Sequence, residues 1–101
     1  KAIEFQLRKR VSNLQAELRT LASEIAILEE DIIPEAQDAY TIIADGYLNG
    51  RFTYLDVVDS QKMWFQSREQ YVNALKDYHT NFYELDRITG ITNHTNFKAI
   101  N

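Results

Sequence analysis

Leu7, Val11, Leu14, Leu18, Leu21, Ile25, Leu28 and Ile32 follow one another at spacings of four and three. That rhythm keeps one stripe of an α-helix turned toward a partner, and it predicts the seam of a coiled coil. Pro34 then interrupts, since proline lacks a backbone donor and costs about 3 kcal/mol inside a helix. Beyond it the apolar positions resume as Ile33, Ala36, Tyr40, Ile43 and Tyr47, displaced by one residue in phase. A proline at a change of register predicts one helix over 1–48 with a kink. A break, with Pro34 opening a new helix, is the alternative.

A second helix is predicted over 54–89. Thr53 with Asp56 three residues on approaches a capping box, and Gly90 stands where a helix commonly stops. Arg87 suits the negative end of the helix dipole. The apolar columns here are Val57, Trp64, Tyr71, Tyr78 and Leu85, then Leu75 and Phe82, then Val58, Phe65 and Val72. Together they are wider than one antiparallel partner needs. Arg68 lies among them and is expected to snorkel or to pair with an acid of a neighbouring helix. Residues 91–101 show no helical period and are expected to form a loop or short strand.

Between the two periodic segments lies Asp45-Gly46-Tyr47-Leu48-Asn49-Gly50-Arg51-Phe52-Thr53, with two of the three glycines in the chain. Glycine is the usual residue where backbone turns sharply or takes positive φ. The chain is therefore expected to double back once, with a tip at 46–53. The fold class this predicts is all-α: a long antiparallel α-helical hairpin over 1–90 with a short irregular tail. At 1.5 Å per residue the arms would run about 72 Å and 54 Å. Two such arms cannot bury both a seam and a wide aromatic face between themselves. The surplus must meet other helices, either copies of this chain or parts of a larger one.

Composition narrows the field. The chain has 101 residues, 45% hydrophobic, with a formal net charge of −4 and no cysteine. That is one small folded domain with no disulfide framework and no thiolate metal site. An acidic balance argues against nucleic acid. No apolar run is long enough to cross a membrane as a helix. The chain starts at Lys1 inside a periodic pattern, as a piece of something larger would. Acidic residues crowd between Glu24 and Asp59, where Arg51 is the lone cation. Such a surface is a solvated helix face or an attractor of cations and basic partners.

Candidates for chemistry are few. His79 falls in the Val58, Phe65, Val72 column and reads as a partly buried polar spacer. His94 has no second ligand at recognisable spacing, and Asn93-His94-Thr95 matches a glycosylation sequon that such short motifs often meet by chance. Asp56 and Asp59 share a helix face, yet no nucleophile or pocket accompanies them. Asp56 suits a first-turn role at the helix dipole, and Asp59 is the better candidate for an exposed function. No enzyme, cofactor or metal site is expected.

The run from Gly46 to Gln61 (GYLNGRFTYLDVVDSQ) resembles the signature of the TolC-type outer-membrane efflux proteins. Tyr71, Ala74-Leu75, Tyr78-His79 and Leu85 to Gly90 continue the pattern, and Ile33-Pro34 with Ala36 fits upstream. Gly50 to Asp56, Tyr78-His79 and Arg87 to Gly90 are most similar to the heavy-metal, CzcC-like branch. The resemblance covers about residues 30 to 90.

It implies a homotrimer with a β-barrel in the outer membrane and an α-helical barrel through the periplasm. This chain would be the second periplasmic hairpin of each protomer, itself soluble. Tyr47, Leu48, Asn49, Gly50, Arg51 and Phe52 would face a periplasmic adaptor (membrane fusion) protein, which links to an inner-membrane pump. Asp56 and Asp59 match positions of entrance-constriction acids in some members. Arg51, Phe52 and Tyr54 depart from the best-known member, so contacts there would differ. The function implied is a passive conduit for cation or drug efflux. A generic scaffold hairpin, in which the seam decides everything and the tip tolerates any linker, is the competing hypothesis.

Overall fold

The computed structural model describes the backbone of residues 2–100 and the side chains of residues 2–90. Helix α1 spans Ala2–Ile27, a π-helical turn spans Leu28–Ile32, α2 spans Ile33–Leu48 and α3 spans Tyr54–Ile100. The fold class is all-α, a helical hairpin, and no strand occurs among the described residues. Two compact units make up the chain, residues 23–75 and residues 1–22 with 76–101.

In the unit 23–75, helix α2 and the first part of α3 lie antiparallel. The Tyr71 hydroxyl donates to Glu29 Oε2 at 3.3 Å, Tyr40 stacks on Trp64 with centroids 5.4 Å apart, and Tyr47 meets Tyr54 at 5.9 Å. One partner's number rises as the other's falls. Among the described residues Leu28 is the most deeply buried, 1% exposed. On α3 the half-buried column is Val57, Trp64 and Tyr71, flanked by buried Ser60, Ser67 and Ala74. The serines carry no uncompensated hydroxyl, because Ser60 Oγ donates to the Val57 carbonyl at 2.9 Å and Ser67 Oγ to that of Trp64 at 2.7 Å.

The π turn explains the one-residue phase displacement around Pro34. The Ile33 N–H donates to the Leu28 carbonyl, five residues back rather than four, so the turn holds one residue more than an α-turn. That extra residue carries Ile32 out of the seam, where it is exposed, and leaves Ile33, Ala36, Tyr40 and Ile43 half-buried after Leu28. Pro34 falls in the first turn of α2, where a missing N–H costs least. Ile27 and Ile33, which flank the π turn, and Ile32, its last residue, keep right-handed helical dihedrals, so the backbone stays helical on the approach to Pro34.

In the other unit, Leu14, Leu18, Leu21 and Ile88 are buried. Val11, Tyr78 and Leu85 are half-buried, while Leu7 is exposed. Arg87 Nη2 donates to Glu84 Oε1 at 2.7 Å, and Arg10 Nη2 lies 3.7 Å from the same oxygen. These cations hold the Glu84 carboxyl below its ordinary pKa, the Arg87 bond being the main cause.

Two expectations are corrected here. Helix α3 does not end at Thr89 with a loop or strand over 91–101; it continues through Gly90 to Ile100. Gly90 does not take positive φ, so no left-handed cap forms there, and one interior glycine costs a helix only about 1 kcal/mol. The side chains beyond it, His94 and the sequon among them, lie outside the described residues. His79 is exposed rather than partly buried, and it sits in an edge of rings with Tyr78 at 6.2 Å and Tyr83 at 6.4 Å.

Candidate functional site

The turn between α2 and α3 is closed by hydrogen bonds on both sides. Gly50 is the one described residue with positive φ, at 78°. The Arg51 N–H donates to the Gly46 carbonyl at 2.7 Å and the Gly50 N–H to that of Tyr47 at 3.1 Å. This pair of bonds around a left-handed glycine is the Schellman motif, which satisfies the last carbonyls of α2. Asn49 adds bonds from its N–H to Gly46 at 3.1 Å and from Nδ2 to the Asp45 carbonyl at 3.1 Å.

Helix α3 opens with a reciprocal capping box. The Thr53 N–H donates to Asp56 Oδ2 at 2.9 Å, and the Asp56 N–H to Thr53 Oγ1 at 3.2 Å. Two orphan donors of the first turn are thereby satisfied. Only Asn49 to Thr53 leave the helical path. The backbone therefore has little freedom across the turn.

The two glycines serve different ends. Gly46 is still inside α2 with ordinary helical dihedrals, and it is buried. Its missing Cβ makes room for the Phe52 ring, whose Cε2 would lie 2.7 Å from a Cβ placed there. Gly50 has open space around it and is required for its dihedral alone.

The surface of the tip is apolar. Leu48 is 81% exposed, Tyr54 and Leu55 are each 66% exposed, and Tyr47 and Phe52 are partly exposed. Of the residues predicted from sequence, Tyr47, Leu48, Asn49, Gly50 and Arg51 stand together at the exposed turn. Phe52 instead lays its ring against Gly46. Asp56 has its carboxylate engaged in the cap, whereas Asp59 is exposed on the outer side of α3. Tyr54 and Leu55 were absent from the sequence-based set. Their place within two residues of the Thr53 cap was the available signal.

Away from the tip, Arg68 lies over the Trp64 ring, 5.9 Å from its centroid. This is a cation–π contact. Trp64 Nε1 is buried and has no acceptor among the described residues. A second apolar face of α3, with Val58, Phe65 and Val72 exposed, has no cover in this unit. Among the described residues no three His, Asp or Glu side chains gather as a metal site. No helix there is long and apolar enough to cross a membrane.

The hairpin thus carries a doubly capped apolar tip and an apolar face of α3 left uncovered within its unit. A family model described as outer membrane efflux protein matches residues 2–91, and the chain belongs to that family. It is 35% identical over 63 residues to the cobalt-zinc-cadmium resistance protein CzcC of Cupriavidus metallidurans. That match covers 62% of this chain and 15% of the relative, so the chain spans only a small part of the relative's length. No solved structure gives a significant match.

Proposed function

We propose that the chain is a periplasmic hairpin of a trimeric outer-membrane efflux channel, and that its tip docks a periplasmic adaptor which couples the channel to an inner-membrane pump. The channel is a passive conduit, and no residue carries a catalytic step. The cargo is a heavy-metal cation, of the kind for which the related cobalt-zinc-cadmium resistance protein is named. The acidic run from Glu24 to Asp59 favours cations over anions near this end. Asp59, exposed and outside the cap, is the acid available to an entrance; Asp56 is occupied.

The observation that carries this reading is the tip, where Leu48, Tyr54 and Leu55 are exposed on a turn whose backbone is held from both sides. Apolar side chains on a preorganised backbone lose little entropy on docking. The test is adaptor co-purification and cobalt, zinc and cadmium tolerance in cells carrying the whole channel. Leu48→Asp and Gly50→Pro are expected to lose both, and Glu24→Gln to keep both. Adaptor binding untouched by the tip substitutions would show that the tip is wrongly assigned.

A further inference from the structure

Gly46 carries a tension between two physical rules. It sits inside α2 with ordinary helical dihedrals, so helix propensity alone makes alanine the better residue there. The space says the opposite, because a Cβ would collide with the Phe52 ring. Phe52 precedes the Thr53 cap, and Gly46 supplies the carbonyl that accepts from Arg51 and Asn49. The ring-on-glycine contact therefore bridges the two capped ends, and it does so from the side chain.

We propose that Phe52 is a latch: its ring, seated in the notch left by Gly46, holds the turn in one shape before any partner arrives. Phe52 is a positioning residue, and the partner grips the more exposed Leu48, Tyr54 and Leu55 instead. This rests on the docking reading above and refines it. The latch can be tested without a partner, because Arg51 is the only lysine or arginine between Arg19 and Lys62. Trypsin cutting at Arg51 thus gives a fragment that reports opening of the tip alone, and the rate tracks the population of the open form.

In the purified protein, Gly46→Ala is expected to speed that cleavage roughly tenfold, as overpacking does. In a Phe52→Ala background the collision is gone, so Gly46→Ala should leave the rate unchanged or slow it. An equal effect of Gly46→Ala in both backgrounds, or slowing of cleavage by Gly46→Ala while Phe52 is present, overturns the latch. In the whole channel, Gly46→Ala should weaken adaptor capture and Gly46→Ala with Phe52→Ala should restore part of it. Should Phe52→Ala alone abolish capture while leaving cleavage at Arg51 unchanged, Phe52 is a contact and the proposal fails. The protease arm contains no adaptor, so its failure is distinct from failure of docking itself.

Discussion

Gly50 and Thr53 each meet a need that few other residues can meet. At φ 78° a side chain with a Cβ costs about 1–2 kcal/mol. Gly50→Ala should lower stability by that amount, and Gly50→Asn by less, in urea unfolding followed by circular dichroism. Thr53→Ala removes the acceptor of the Asp56 N–H and is expected to cost about 1 kcal/mol in the same assay. Tyr71 gives a prediction in pH. Desolvation first, then the charge and hydrogen bond of Glu29, raise its pKa above the ordinary tyrosine value. The folded state therefore favours the neutral phenol. That contribution is complete below the unfolded-state pKa and is lost as pH rises through the folded one. Tyr71→Phe should flatten the alkaline limb of a stability-against-pH curve and leave the neutral region nearly level. An alkaline limb unchanged in Tyr71→Phe would assign the loss to other groups.

Among the elements, the π turn is the part that most rewards a direct test. Deleting Glu30 removes the extra residue and would leave α1 and α2 as one α-helix, but Pro34 would then sit in a helix interior. The deletion should cost about 3 kcal/mol, and Pro34→Ala in the same chain should recover most of it. Leu28, fully buried at the start of this turn, should cost about 2–5 kcal/mol as Leu28→Ala. Much of this level was legible in the sequence. The seam through Leu14, Leu18, Leu21 and Leu28, the single reversal and the Thr53–Asp56 cap follow from local periodicity and spacing, which act within a few residues. The displaced phase after Pro34 was visible too, although its cause was not, because a π turn and a kink leave the same trace in an apolar pattern. The inward places of Ser60, Ser67 and Ala74 on α3 were not legible, since small residues at a seven-residue spacing leave no mark in a pattern of large apolar ones. Gly90 misled because a glycine marks a helix end only when it takes the left-handed conformation. The pairing of Phe52 with Gly46 depends on where a ring folds back, and no spacing rule carries that.

For the whole molecule, what counts is which surfaces remain to be covered. Val58, Phe65 and Val72 stay exposed on α3 within the unit 23–75, and Phe82 and Tyr83 within the other. Exposed large apolar side chains of this kind mark contact with other protein. In the proposed trimer those of the unit 23–75 meet neighbouring helices. Phe65→Lys should therefore weaken trimer assembly of the whole channel in sedimentation, with little change in helical content. Unaltered assembly would place the contact elsewhere. Docking through the tip is tested most directly by site-specific photo-crosslinking in cells carrying the whole channel. A photoreactive residue at Leu48 should capture the periplasmic adaptor, while one at Glu24, on the stem, should not. Capture at Glu24 with none at Leu48 would contradict docking through the tip.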